Sequence, residues 1–330
     1  MRVVALEEHF IVPALVERIS PEAIARRGIP ARGQTWSPLN ATDKMAEVGP
    51  NRLQAMDESA VTMQVLSVVG PGADLLPPAE GPGWAREAND AMAAAASAHP
   101  GRFAGFAHLP LTAPEAAADE LERAVRQLGF CGALVSGSTG GKFLDAPQFD
   151  PILARAEALE VPIYLHPWIP EAGVRAAYYD DLPDDLSFPF AIAGWGWHAD
   201  TAVHVLRLVL SGALDRHPRL QLIVGHMGEG LATMLDRFDQ VFGTIRKTPR
   251  SVSQTILEQV HVTTSGFKSL PLFLALLQTF GADRIMYSAD YPFIPNDPGG
   301  SFLKGLPVSP DDLAKIAHGN ADRLLRLGPA

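Results

Sequence analysis

The segment VVALEEHF (3–10) runs an apolar stretch directly into two carboxylates and an imidazole. Such a stretch reads as a buried strand, and a charged group at its end either turns to water or is held by something that offsets its desolvation. Similar runs recur at VTMQVLSVV (61–69), RFAGFAHLP (102–110), CGALVSG (131–137), PIYLHP (162–167), QLIVGHMG (221–228), HVTTSG (261–266) and RIMYSAD (284–290). Most are continuously apolar rather than alternating, as suits parallel strands covered on both faces. Helix-like segments separate most of them. APEAAADELERAVRQLG sets Ala117, Leu121, Ala124 and Leu128 on one face, with acids early and Arg126 late, as its dipole favours. TAVHVLRLVLSG gives a stripe of Val203, Leu206 and Leu210 before Gly212, a helix stop. Eight strands alternating with helices predict an α/β fold, a closed (β/α)8 TIM barrel rather than an open doubly wound sheet.

The first strand opens the chain, so residues 1–330 are expected to form one barrel domain. Three connections are too long to be turns: 11–60, 168–200 and 291–308. Each follows a strand at its carboxyl end, the catalytic face of a barrel, which makes them candidate lids. The alanine-rich AMAAAASA (91–98) is helix former, and there is no internal repeat beyond the strand–helix rhythm.

Composition narrows the function classes. A hydrophobic fraction of 47% and a charged fraction of 19% supply a large core. The net charge of −10, without a Lys/Arg block, argues against nucleic acid and anionic membranes, whose binding rests on clustered cations. A small-molecule partner is expected. Cys131 is the only cysteine, so no intrachain disulfide forms. No signal-like start and no apolar run of about 18 residues is present, and a cytoplasmic location is expected.

The ionisable residues converge on this map. Glu7 and His9 stand near the end of the first strand, His166 ends the fifth, His226 the sixth and Asp290 the eighth. Residues two apart on a strand share a face, so Glu7 and His9 point into the barrel mouth, while Glu8 points away toward a salt bridge or a helix. Imidazoles and carboxylates gathered at an apolar mouth have the character of ligands for a divalent ion such as Zn2+ or Mn2+. Singly, each has an ordinary structural reading, including Asp290 as a helix cap; jointly they point to a metal site. Glu229, three residues after His226 and near the opening turn of the next helix, is placed to hold the second nitrogen of that imidazole. His226 then serves as base or acid, or alternatively as a further ligand. Arg237, eleven residues on, is either functional or simply solvated.

Other motifs are weaker. GSTGGK (137–142) has the wrong glycine spacing for a phosphate loop and lacks the hydroxyl residue after lysine. GHMGEG lacks the dinucleotide spacing. His99, His108, His198, His204, His217, His261 and His318 read as structural, although His108 also ends a strand. No GxSxG elbow occurs, and Cys131 opens a strand, so a side-chain nucleophile finds no support.

ALEEHF, YLHPW around His166, DRHPRLQLIVGHMGEGL around His226 and RIMYSADYPF around Asp290 resemble the amidohydrolase-2 branch of the amidohydrolase superfamily. Within it they are most similar to the non-oxidative aromatic acid decarboxylases of the γ-resorcylate, 2,3-dihydroxybenzoate and 5-carboxyvanillate type. The resemblance implies metal ligands at Glu7, His9, His166 and Asp290, an acid–base pair at His226 and Glu229, and substrate contacts at Arg237 and Phe293. Trp168 and Trp197 are candidate ring-stacking walls or lid packing. It further implies a metal-dependent carboxy-lyase of a hydroxylated aromatic or similarly conjugated carboxylic acid, assembled as a homodimer or homotetramer. A hydrolase of a lactone or amide using the same ligands is the alternative, and a non-catalytic metal scaffold a third reading. Val135-Ser136-Gly137 stands where several decarboxylases carry an asparagine, and the 11–60 connection and IPNDPGGS are this chain's own.

Overall fold

The computed structural model describes residues 1–294 and 297–328; Pro295 and Asn296 of the IPNDPGGS stretch lie outside the described residues. Among the described residues nine strands are assigned: β1 (Val4–Phe10), β2 (Met63–Val68), β3 (Phe103–Gly105), β4 (Ala107–His108), β5 (Ala133–Ser136), β6 (Ile163–His166), β7 (Leu222–Val224), β8 (Val260–Thr263) and β9 (Ile285–Met286). All pair in parallel and in chain order, as β1-β2-β3 and as β4 through β9. β3 and β4 together make the expected third strand, interrupted at Phe106, whose amide still donates to Leu66 O at 2.9 Å. At the other end a parallel bridge joins Glu8 to Tyr291, and His9 N donates to Tyr291 O at 2.8 Å. These links join the ends of both sheets, as the order of a (β/α)8 barrel requires.

Side chains sort into two layers. Val4, Leu6, Phe106, Tyr164, Ile223 and Met286 pack together inside the ring. Ala5, Leu66, Leu121, Leu208 and Val262 belong to the outer layer, where strands meet helices. Parallel strands buried on both faces need apolar residues on both, which is why their sequence shows no alternation.

Several expectations need correction. The strands are shorter than the apolar runs, most of all at β9, after which residues 287–294 keep only the isolated bridge at Tyr291 and shape the mouth. The 11–60 connection is not a plain lid loop: it holds four short α-helices, Pro13–Arg18, Pro21–Arg27, Thr42–Ala46 and Pro50–Glu58. The helix expected from Thr201 begins at Gly196, and its buried face is Thr201, His204, Val205, Leu208 and Val209. Val203 and Leu210 are exposed instead. That helix is apolar nearly all round, so periodicity alone drew the stripe on the wrong side.

Candidate metal centre and active site

Strict alternation along β1 would send Val4, Leu6 and Glu8 inward. The pairing of β1 with β2 instead shifts register between Ala5 and Glu8. A bulge re-aims the side chains beyond it, so Leu6 and Glu7 both face the interior and His9 follows. Glu8 turns to the outer face as expected, but not into a salt bridge. It accepts from Gln64 Nε2 at 3.0 Å and from the Ala289 amide at 2.9 Å, fully buried. Burial pushes its carboxyl up to about 8, since that amide and Arg52 offset only part of the desolvation.

Glu7, His9, His166 and Asp290 converge, with one potential ligand atom from each lying within 4.8 Å of every other. His9 Nε2 is 2.9 Å from Asp290 Oδ1, and His166 Nε2 is 3.1 Å from Glu7 Oε1. Glu7 Oε1 is buried without a hydrogen-bond partner, while Oε2 accepts from Tyr164 and Ser265. Two imidazoles and two carboxylates, one with an unsatisfied buried oxygen, fit a divalent ion such as Zn2+ or Mn2+. Burial drives the Glu7 carboxyl up, but His226, His166 and His9 outweigh it and hold it below the ordinary carboxylate range. Burial lowers His9, which therefore stands neutral, the form that ligates. Glu7→Gln is expected to weaken metal binding by at least about 10- to 100-fold, whereas Glu8→Gln leaves it intact. Metal titration of the two variants checks this, and equal losses would contradict the assignment.

The segment after β7 forms no α-helix at once, only a short 3-10 turn at His226–Gly228. His226, Met227 and Glu229 take left-handed φ values of 48°, 56° and 54°, and Asp290 takes 65°. Such conformations cost roughly 1–3 kcal/mol each in non-glycine residues and cluster where the surroundings over-determine them. Glu229 thus sits in a tight turn rather than in a helix's opening turn, and the next α-helix starts only at Leu235. The glycine before His226 is sterically required, because a Cβ on Gly225 would lie 2.5 Å from Glu7 Oε2.

In this turn His226 Nδ1 lies 2.9 Å from Glu229 Oε1. Its Nε2 faces Glu7 Oε1 at 3.7 Å and Asp290 Oδ2 at 3.9 Å. Burial works to lower His226, but Glu7 and Glu229 overcome it and raise the imidazole well above its ordinary value. The residue that sequence reasoning set aside is His198. Its Nδ1 lies 2.6 Å from Glu229 Oε2, and the Trp197 indole N–H donates to its Nε2 at 3.1 Å. Glu229 therefore bridges two imidazoles, one oxygen to each. The only sequence signal for His198 was its place in the aromatic GWGWHAD stretch.

A cavity of about 220 Å³ opens on this cluster, reached by His166, His226 and Asp290. All three long connections wall it: Trp36 and Pro38 from the first, Phe188, Ile192 and Trp197 from the second, Phe293 and Ile294 from the third. Phe293 lies with its ring 5.3 Å from that of His9. Trp168 also lines the cavity, buried, and is seated against Gly137, where a Cβ would come within 2.7 Å of its own. The first glycine of GSTGGK thus makes room for an aromatic wall. Arg237 does not join the site. It is exposed on the helix Leu235–Phe242, with Gln240 as its hydrogen-bond partner at 3.4 Å, because the turn at 226–234 breaks the helical path from His226. His108 and His204 accept backbone amides, from Ala73 at 2.9 Å and Leu144 at 3.1 Å, in keeping with structural roles.

Known proteins share this architecture. The profile of the amidohydrolase family matches residues 9–327. Decarboxylase orsB of Emericella nidulans is 38% identical across 98% of this chain and 96% of its own. The γ-resorcylate decarboxylase of Rhizobium sp. is 37% identical across 99% of each. Among solved structures, a dihydroxybenzoic acid decarboxylase from Polaromonas sp. JS666, with bound manganese and the inhibitor 2-nitroresorcinol, superposes with a TM-score of 0.86. It is 33% identical, covering 100% of this chain and 98% of that one. Among the described residues no helix is long and apolar enough to cross a membrane.

Proposed function

Because the chain belongs to the amidohydrolase family and is a metal-dependent carboxy-lyase of hydroxylated aromatic acids, we propose that Asp290, His226 and Glu229 carry its proton transfers. The observation that carries this reading is the division of labour at Asp290. Its Oδ1 faces His9 within the ligand set, while its Oδ2 faces His226 at the floor of the aromatic-walled cavity. Glu7, His9, His166 and Asp290 hold the metal, which when bound polarises the substrate's carboxylate and neighbouring phenolic oxygen as a Lewis acid.

Asp290 delivers a proton to the ring carbon that bears the carboxylate. The bond to that carboxylate then breaks, its electron pair returns to the ring, and CO2 leaves. His226, held by Glu229 at Nδ1, hydrogen-bonds the substrate oxygens through Nε2 and restores the proton to Asp290. Glu229 fixes the imidazole by accepting from Nδ1. Trp168, Trp197 and Phe293 flank the ring and exclude water. Release of CO2 from hydroxybenzoates by the metal-loaded protein tests the reaction; turnover of lactones alone would reverse it. The subunits assemble as a homodimer or homotetramer, which light scattering of the purified protein checks.

His198 is a positioning residue in this scheme. Because Trp197 donates to His198 Nε2, the ring proton sits on Nδ1, so His198 donates to Glu229 Oε2 and holds the carboxylate aligned on His226. His198→Ala is expected to lower kcat about tenfold with little change in KM. His198→Gln retains a donor for Glu229 and an acceptor for Trp197, and should recover most of that loss. Equal kcat in the two variants would remove His198 from the scheme.

A further inference from the structure

At the opposite end of the barrel from the metal centre, among the amino ends of β6, β7 and β8, lies a second cavity of about 350 Å³. Arg219, Arg323 and Arg326 line it with Gln221, His261 and one carboxylate, that of Glu160. This local excess of cations stands against a net charge of −10 for the whole chain. Arg326 pairs with Glu160, and Arg219 reaches Glu157 at 3.8 Å. Arg323 has no such match. Among the described residues its hydrogen bonds go to the Asp283 carbonyl at 3.1 Å and the Asn320 side-chain oxygen at 2.9 Å, both uncharged. Arg284, behind His261, is in the same position: it donates through Nη1 to Gln221 Oε1 at 2.9 Å and to His261 Nε2 at 3.0 Å. The carboxylates that act on Arg284 from farther off, Glu258 and Asp283, pair with Arg250 at 3.3 Å and Lys315 at 3.0 Å.

The contact with Arg284 fixes the tautomer of His261. A guanidinium offers no acceptor, so Nε2 accepts and the ring proton sits on Nδ1. His261 is 6% exposed, and its Nδ1 is buried with no hydrogen-bond partner among the described residues. Burial, Arg284 and Arg323 push this imidazole down to about 3, so it stays neutral with Nδ1–H as its one donor. A buried N–H without an acceptor is costly. Water in the cavity would accept from it but brings no charge to Arg323 and Arg284. An oxyanion supplies both the acceptor and the countercharge, through charge-assisted hydrogen bonds that suit guanidinium geometry.

We propose that this cavity at the foot of the barrel binds a phosphate group, held by His261 Nδ1–H and Arg323, with Arg219 and Arg326 at its rim. Phosphate fits better than a carboxylate because donors gather there from four separate segments, and its oxygens can accept from more of them. The free ion and a phosphomonoester present the same group. This end of a barrel bears on stability rather than on chemistry, so occupancy is expected to raise the melting temperature.

The test is isothermal titration of the metal-loaded full chain with inorganic phosphate at constant ionic strength. Arg323→Gln is expected to weaken binding at least about tenfold, the loss of one charge-assisted contact. His261→Phe keeps a ring but removes the donor, and is expected to weaken it comparably. Arg323 is exposed on the helix Asn320–Leu324, so its variant keeps the test decisive even if His261→Phe fails to fold. Arg32→Gln, at an exposed arginine of the 11–60 connection, should leave binding unchanged. Glycerol 3-phosphate is titrated in the same way: tighter binding than inorganic phosphate identifies a phosphomonoester as the occupant, weaker binding the free ion. Melting of the wild type should rise with phosphate, and that of Arg323→Gln should rise less. Equal affinity in the wild type and Arg323→Gln would place the phosphate elsewhere, at the metal for instance. No binding at millimolar phosphate would leave only water in the cavity. Either result overturns the proposal.

Discussion

Asp290→Asn is expected to lower CO2 release by at least about 10³-fold while the protein stays folded. The fold survives because asparagine tolerates the left-handed conformation that Asp290 adopts, φ 65°, better than most side chains. It also keeps the size and one acceptor oxygen of the carboxylate. What is lost is the proton: an amide cannot hand one to a ring carbon at neutral pH. The amide also weakens the contact with His9 Nε2, now 2.9 Å from a carboxylate oxygen, so metal content must be measured in the same sample. A variant that keeps its metal and loses turnover places the defect in proton delivery. Wild-type turnover in a metal-loaded Asp290→Asn protein would eliminate Asp290 as the acid.

Removal of the metal is expected to abolish turnover and to lower the melting temperature, with manganese restoring both. Glu7 is fully buried and Asp290 nearly so, and imidazoles are their nearest partners. A divalent ion adds the charge that burial otherwise makes costly, so binding is coupled to stability. At metal concentrations of about 1,000 times Kd the linkage is worth about 4 kcal/mol, which for a chain of this size shifts melting by several degrees. Chelation followed by thermal melting and a CO2 assay reads both effects. Unchanged turnover in protein shown by elemental analysis to be metal-free would sink the Lewis-acid role.

The four proposed ligand positions were legible in the sequence because each stands at or near the end of an apolar run, where a charged residue conflicts with its surroundings. Glu7 and His9 conflict with the strand that carries them, His166 and Asp290 repeat the conflict on other strands, and so does the acid–base residue His226. Glu229 was legible from its spacing to His226, although its setting was not: a turn of left-handed residues replaces the expected helix start. His198 was illegible. It lies 31 positions from Glu229 in a stretch whose aromatics suggested packing, and only the return of that connection over the mouth brings the two together. Arg237, a substrate contact by resemblance alone, lies exposed on the helix Leu235–Phe242 and outside the lining of this chain's own cavity.

Sequence by itself determined the rhythm of strands and helices, the chemistry of the donor set, and the end of the barrel at which it gathers. These are local properties: hydrophobic runs, their punctuation, and the residue types at their ends. Which way β1 presents its side chains was decided only in the tertiary structure. Its first residues alternate so as to send Glu8 inward, and the register shift against β2 between Ala5 and Glu8 sends Glu7 and His9 there instead. Pairing between segments some 60 residues apart fixes that bulge, and no local pattern encodes it. The apolar walls likewise come from three separate connections, so the cavity exists only once they have folded over the mouth.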